Sequence, residues 1–439
     1  MIKVIVYMSS SLNIGIVGLG TVGLGVLKVL KENIELISRR AGKSIDVTSV
    51  SAKRKNLDRG LSLTPYLWFD NPHELIYSKN VDVVVELVGG GDGVAREICA
   101  SALSIGKHVV TANKALMAEH GVELAMMAEE NHVQLNYEAA VAGAIPIVKV
   151  LREGLVGNHI NRVYGILNGT CNYILTQMRD SNRQFQEVLA KAQELGYAES
   201  DPTLDVAGID AAHKLSILSS LAFGTRLSFR SVEVEGINDV EFLDIQFAKE
   251  LGYGIKLLGI ASLNGNKISQ FVYPCLVSVN SPINHVEESF NAIVVSGSFS
   301  DELILEGKGA GAGPTASAVI SDLVDIARGT KVPTFGVNVE NLIGLDVDSI
   351  NDRFGGYYVR FTVVDQPGVL AEITSILRDK EVSIETVVQR GRSPGETVSI
   401  VMTLHDTYEH LMRSALQDIS KLKFVVEKEK VFRVEKFFG

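Results

Sequence analysis

"GIVGLGTVGLG", Gly15 to Gly25, sets Gly18, Gly20 and Gly23 in G-x-G-x-x-G spacing between the apolar run Leu12 to Val17 and the amphipathic stretch "VLKVLKENIELI". Strand, glycine turn and helix in that order open a dinucleotide-binding fold. In such a fold one glycine makes the tight turn, one lets backbone approach a pyrophosphate, and one lets helix pack on strand. Gly18, Gly20, Thr21, Val22 and Gly23 are therefore the candidate cofactor contacts. A plain glycine-rich βα turn would share the composition, so the flanking sequence has to decide.

Moving outward, "IDVTSVSA" (Ile45 to Ala52), "VDVVVELVGG" (Val81 to Gly90), "KHVVTANK" (Lys107 to Lys114) and "VQLNYEAAVAGAIP" (Val133 to Pro146) read as strands. Near-continuous Val and Ile runs alternating with helices indicate a parallel sheet covered on both faces. This α/β Rossmann domain is expected over residues 1–137. Its second strand runs into "SAKRK", Ser51 to Lys55, where an NAD fingerprint would place the acid that meets the ribose 2′-OH. Basic residues there pair with a 2′-phosphate, which favours NADP over NAD with Lys53 and Arg54 as contacts. A solvated charge run is the alternative.

Residues 138–330 mix helices with strands, as expected of an α+β substrate and dimerisation domain. Within them "GKGAGAGPTASAVISDLVDIA", Gly307 to Ala327, is a second glycine turn opening a long helix, whose first N–H groups can meet an anion. That helix, 311–328, is expected to pack back on the first domain. Periodicity fades over 331–356, taken as a linker. From 357 to 439 the order strand, helix, strand, strand, helix, strand is that of a ferredoxin-like βαββαβ unit.

A formal net charge of −10 over 439 residues argues against a nucleic-acid surface, which needs clustered Lys and Arg. Three cysteines without a C-x-x-C pair suggest neither disulfides nor zinc, and point to the cytoplasm. No apolar run reaches the ~18 residues of a membrane span. The opening "MIKVIVYM" has no small-residue cleavage pattern and reads as an N-terminal extension rather than a signal peptide.

The chemistry concentrates in "AQELGYAESDPTLDVAGIDAAHKLSIL", Ala192 to Leu218, with Glu199, Asp201, Asp205 and Asp210 followed by Lys214. Asp210 and Lys214 lie four apart at a helix start and share one face. Such pairs are usually surface contacts worth a few tenths of a kcal/mol. Here the face is apolar, and a charge cluster on an apolar helix start is a site candidate.

This segment resembles the signature of the homoserine dehydrogenase family, with Ala192, Gly196, Asp201-Pro202, Asp205, Gly208, Asp210 and Lys214 at its fixed positions. "VGLGTVG", "ELVGG", "VVTANKALMA", "YEAAVAGAIPI", "GILNGTCNYIL" and "GAGAGPTASAV" extend the resemblance over nearly the whole chain. It implies an NAD(P)-dependent oxidoreductase interconverting L-homoserine and L-aspartate 4-semialdehyde in the branch leading to threonine, methionine and isoleucine. Lys214 is implied as general acid and base, Asp210 as its partner, and Lys114 as a second cation able to lower the Lys214 pKa. Glu199, Asp205, Asp210, Gly169 and Thr170 are implied substrate contacts, and Gly311 a further cofactor contact. A monovalent cation, sodium, is implied at Glu138, Val141, Gly143 and Ile145. Local roles, Asp205 as a cap and Thr170 as a turn residue, remain open. Cys171, inside the substrate loop, suits a buried apolar role better than a thiolate one, and His213 reads as structural.

"VRFTVVDQPGVLAEITSIL", Val359 to Leu377, resembles the ACT regulatory module. Its turn at Asp365, Pro367 and Gly368 would face an amino-acid effector, threonine by the resemblance, unless the module only pairs subunits. The family implies a homo-oligomer, a dimer or a dimer of dimers. Two rivals fit less well: a non-enzymatic NADP sensor has no need of Asp210 and Lys214, and a different amino-acid dehydrogenase would alter the acidic segment.

Overall fold

A computed structural model describes residues 11–391 and 394–437; "MIKVIVYM" lies outside the described residues. Six parallel strands, β1 (Leu12–Val17), β2 (Ile45–Ser51), β3 (Leu67–Phe69), β4 (Val83–Glu86), β5 (His108–Thr111) and β6 (Leu135–Asn136), form one sheet in the order 3-2-1-4-5-6. This is the strand order of a Rossmann domain, in which ligands bind beyond the carboxyl ends of the strands. Val83, Val84 and Val85 are fully buried, as the apolar run required.

The stretch 133–146 forms less strand than expected. β6 is two residues long, a 3₁₀ turn follows at Glu138–Ala140, and Ala142 and Gly143 both have positive φ. The left-handed pair turns the chain away from the sheet, and a Cβ at Gly143 would lie 2.6 Å from the Gly309 carbonyl oxygen. Extended backbone cannot continue through that contact.

A second sheet is built from β7 (Ile160–Ile166), β8 (Glu233–Val234), β9 (Tyr253–Asn264), β10 (Lys267–Ser278), β11 (Phe290–Gly297), β12 (Asp301–Lys308), β13 (Asp346–Val347), β14 (Phe354–Val364), β15 (Ile384–Gln389), β16 (Thr397–Tyr408) and β17 (Lys430–Glu435). Its main path runs 12-11-7-9-10-17-14-16-15. The last four strands, with helices Val369–Asp379 and Glu409–Ile419, are the βαββαβ unit. β17 also pairs in parallel with β10 over Cys275 to Val277, so the C-terminal unit and the middle of the chain share one continuous sheet. Arg433 fastens the seam, donating to Glu235 and Glu409.

Residues 331–356 are packed rather than loose. Phe335, Leu342 and Ile350 are buried, and β13 pairs with β10. Helix Ala312–Arg328 lies against helix Thr21–Ala41, joining Ala316, Val319 and Leu323 to the cluster of Val26, Leu27 and Leu30. A Cβ on Gly25 would come within 2.5 Å of the Ala312 carbonyl oxygen, so glycine permits this contact. Among the described residues, no helix is long and apolar enough to cross a membrane.

Candidate active site

The three glycines of the first turn divide their work as their surroundings dictate. Gly18 has φ +104°, and a Cβ there would meet the Leu87 carbonyl oxygen at 2.4 Å. Gly23 faces the Gly18 carbonyl oxygen, 2.1 Å from its would-be Cβ, so only glycine lets the helix close on the turn. Nothing lies within 4 Å of a Cβ at Gly20, which caps the helix with no side-chain bond. The exposed Gly20 and Thr21, with half-buried Val22, leave a cradle of backbone N–H groups suited to a pyrophosphate. Exposed Gly311, at φ +123°, opens the neighbouring helix without a side-chain cap.

Lys53 and Arg54 are exposed just past the end of β2, with no acid among Ser51 to Lys55. Arg59 folds the following loop, donating to the Arg54 and Leu57 carbonyls (2.5 and 3.0 Å) and lying 5.6 Å over Trp68. Sequence reading did not single out this arginine.

At the same sheet edge, buried Glu86 ends β4. Its carboxylate accepts bonds from the Val88 N–H and the Thr111 hydroxyl (both 2.6 Å), tying the glycine loop to β5. Asn113 caps helix Lys114–Glu130 and donates to the Gly90 carbonyl at 2.6 Å. Lys114 is thereby held at the first position of a helix, where the dipole disfavours a cation. Asp210 compensates: its Oδ1 lies 3.0 Å from Lys114 Nζ.

Asp210 and Lys214 share a helix face as their spacing predicts. Lys214 Nζ donates to Asp210 Oδ2 and to the Leu167 carbonyl, both at 2.7 Å. Asp210 stands in the first turn of helix Ile209–Phe223, where the dipole favours an anion. Burial opposes its charge, but the Lys214 and Lys114 ammoniums and the Asn168 amide prevail and hold it well below the usual carboxylate range. The aspartate thus stands between the two lysines. Lys114 is raised, chiefly by Asp210 and less by Asp205 and Glu199.

Asn168 is the residue that sequence reading passed over. Its Nδ2 donates to Asp205 Oδ1 (2.7 Å) and Asp210 Oδ2 (2.8 Å), while its Oδ1 accepts from the Cys171 N–H (2.8 Å), capping helix Gly169–Ser181. An asparagine directly before a helix start was the available signal. Asp205 is half-buried, and burial, followed by Asp210, raises its pKa. Gly169 and Thr170 form the first turn of the helix; the Thr170 hydroxyl donates to the Tyr197 carbonyl (2.8 Å). Glu199 is exposed, and Asp201 caps a local turn through Thr203. Cys171 is fully buried, its thiol directed at the Asp205 carbonyl, and burial pushes its pKa well up. His213 packs at a tilt against the Phe229 ring and lies 3.9 Å from Glu119.

Glu138, Val141, Gly143 and Ile145 lie together in the buried turn after β6. The Glu138 carboxyl oxygens accept the Val148 and Lys149 N–H groups (3.0 and 2.9 Å), which turns them toward a helix start. Far away, Asp365, Pro367 and Gly368 form the turn into helix Val369–Asp379, with Gly368 at φ +97°.

A Rossmann cradle whose sheet edge faces a buried aspartate between two lysines defines a nicotinamide-dependent oxidoreductase. Comparison with known proteins narrows the class. The family descriptions "Homoserine dehydrogenase, NAD binding domain", "Homoserine dehydrogenase" and "ACT domain" match residues 18–138, 146–324 and 357–424. The homoserine dehydrogenase of Neisseria gonorrhoeae is 42% identical over 430 residues, covering 96% of this chain and 98% of the relative. The homoserine dehydrogenase structure from Thiobacillus denitrificans superposes with a TM-score of 0.92 at 42% identity, covering 97% and 98% of the two chains. A hyperthermophilic archaeal homoserine dehydrogenase in complex with NADPH gives a TM-score of 0.63 at 28% identity, covering 74% of this chain and all of that one. The chain belongs to the homoserine dehydrogenase family, and its activity is the NAD(P)-dependent interconversion of L-homoserine and L-aspartate 4-semialdehyde.

Proposed function

We propose that Lys214 moves the proton of this reaction, that Asp210 and Lys114 position it, and that Asp205, Glu199 and the Gly169–Thr170 turn receive the charged ends of the substrate. The observation that carries this reading is the double anchoring of a buried lysine by Asp210 and the Leu167 carbonyl. An ammonium has three donors, and two are spent on these acceptors. The third N–H is then the one given to the aldehyde oxygen during reduction. In oxidation the neutral amine keeps both anchors and turns its lone pair to the homoserine hydroxyl. Bound NAD(P) supplies or accepts the hydride.

NADP is the preferred form in this reading, supported by Lys53 and Arg54 and the missing acid after β2. The open space at Gly20 supports the pyrophosphate position, with Thr21, Val22 and Gly311 beside it. Sodium would be held through the carbonyls of Glu138, Val141, Gly143 and Ile145. In support, no hydrogen-bond donor among the described residues reaches the Val141 or Gly143 carbonyl. The turn at Asp365, Pro367 and Gly368 would take the effector threonine on exposed helix-start N–H groups. The exposed edge strand β12, with Ile304 at the surface, supports self-association into a dimer or a dimer of dimers. In the division into 1–137, 138–330, 331–356 and 357–439, the pyrophosphate turn falls in the first unit and the effector turn in the last, while Lys114 and Gly311 carry the proton and cofactor tasks across the first bound. Three free buried thiols agree with a cytoplasmic location.

The test is homoserine-dependent reduction of NADP and of NAD by the parent and by Lys214→Ala, with circular dichroism to confirm folding. General acid–base catalysis contributes roughly 10²–10⁴-fold, and a kcat loss of that order is expected. A folded variant that keeps its kcat overturns the role of the lysine.

A further inference from the structure

The loop after β4 runs from Leu87, which touches the pyrophosphate turn at Gly18, to Gly90, which touches the start of helix Lys114–Glu130 through Asn113. Val88, Gly89 and Gly90 are exposed, and the two glycines follow one another in the left-handed region, at φ +84° and +87°. Glycine adopts that conformation at little cost. This exposed loop is nevertheless held from beneath by buried side chains. Glu86 and Thr111, both fully buried, pair across β4 and β5. Glu86 Oε1 accepts the Val88 and Gly89 N–H groups (2.6 and 3.3 Å), and its Oε2 accepts the Thr111 hydroxyl (2.6 Å).

The Thr111 oxygen in turn accepts the Asn113 N–H at 3.0 Å. Buried Asn113 uses its other polar groups as well. Its carbonyl accepts the Met117 N–H and its Oδ1 the Leu116 N–H (both 3.1 Å), while its Nδ2 donates to the Gly90 carbonyl (2.6 Å). Starting the helix accounts for the bonds to Leu116 and Met117. The other two lead away from the helix, to β5 and to the glycine loop. Lys114 is the next residue, and its Nζ lies 3.0 Å from Asp210 Oδ1.

We propose that Glu86, Thr111 and Asn113 are positioning residues for the reaction, a buried network that locks the glycine loop to the backbone carrying Lys114 and so holds the lysine against Asp210. The inference rests on the role given above to Lys114 in positioning Lys214. The three residues move no proton themselves; they act through Lys114.

Steady-state assays of Thr111→Val, Thr111→Ser and Asn113→Ser, each made in the parent and in a Lys114→Met background and paired with a thermal melt, test it. Thr111→Val keeps the shape and removes the hydroxyl, so kcat is expected to fall about tenfold, the loss of one buried hydrogen bond. Thr111→Ser keeps the hydroxyl and should hold kcat within about twofold of the parent. Asn113→Ser keeps a helix cap but has no amide to give Gly90, so it should melt near the parent temperature and still lose kcat about tenfold. It decides the matter if Thr111→Val does not fold. In the Lys114→Met background these losses should shrink to within about twofold, because a network acting through Lys114 has nothing left to position. A purely structural tie would cost the same factor in both backgrounds. Parent-like kcat in both Thr111→Val and Asn113→Ser, or losses that repeat unchanged in Lys114→Met, overturn the network alone. A Lys114→Met chain that keeps the parent kcat overturns the role of Lys114 and the network with it.

Discussion

Asp210 and Asp322 are both buried aspartates near lysines, yet their surroundings drive them in opposite directions. Asp210 has an ammonium on each oxygen, Lys214 at 2.7 Å and Lys114 at 3.0 Å, plus the Asn168 amide. Asp322 shares its surroundings with a second buried acid, Glu138, whose N–H it accepts at 2.9 Å. Lys149 is 4.0 Å from Asp322 and is committed to Asp325 and Ser321. Burial therefore pushes Asp322 up to about 7. It also pushes Glu138 up to about 8, with Asp322 adding to the shift. Burial and residue type alone do not mark a site; the local count of charges does.

The consequences for stability run in opposite directions. Asp210 is depressed in the fold, so its contribution is present above the unfolded value near 3.8 and is lost as pH falls below it. Asp322 and Glu138 keep protons in the fold that the unfolded chain has released. Their contribution is full below about pH 4, declines as pH rises, and is lost through about 7 and 8.

The strongest challenge to this contrast is Asp210→Asn. Without the shared anion the two lysines repel, and kcat is expected to fall on the order of 10²–10³-fold in steady-state assays; a change under threefold would put Asp210 in the same class as Asp322. The glycine turn offers a second contrast between ligand and architecture. Gly23→Ala must displace the Gly18 carbonyl, so it should lower the melting temperature as well as weaken cofactor binding. Gly20→Ala meets nothing inside the protein, so it should raise the cofactor KM about tenfold while leaving the melting temperature unchanged. Next in size, the double variant Lys53→Ala, Arg54→Ala should raise the KM for NADP about tenfold and barely move that for NAD, because only NADP carries the 2′-phosphate. Equal effects on both cofactors would reduce these side chains to a solvated charge run. The smallest effect is expected at Asp322→Asn, with kcat retained. The melting temperature of the parent relative to this variant should decline between about pH 5 and pH 8.5, read from paired melts across that range.

The sequence made the dinucleotide turn legible because each glycine answers to a local need: a positive φ, an open approach, a close packing contact. The Asp210 and Lys214 pair was legible for a similar reason, since helical spacing alone puts the two on one face. Asn168 was harder to find. Its cap position could be read from the helix start, but the two aspartates it bridges are 37 and 42 residues away, and nothing in a local pattern encodes that meeting. The turn after β6 misled for the opposite reason: "YEAAVAGAIP" has strand-like composition, and the Lys308–Gly309 backbone that forces the bend comes from far along the chain.

By itself, then, the sequence determined the βα order of the first domain, the βαββαβ order of the last, and the shared helix face of Asp210 and Lys214. All of these rest on periodicity and on constraints within a few residues. Tertiary structure alone decided that Asp210 stands between the two lysines, that Asp322 and Glu138 are held as a high-pKa pair, and that β17 joins β10 to make one sheet of two units. Each depends on groups distant in the chain meeting in space, where burial removes water and leaves the few charges nearby to set the outcome.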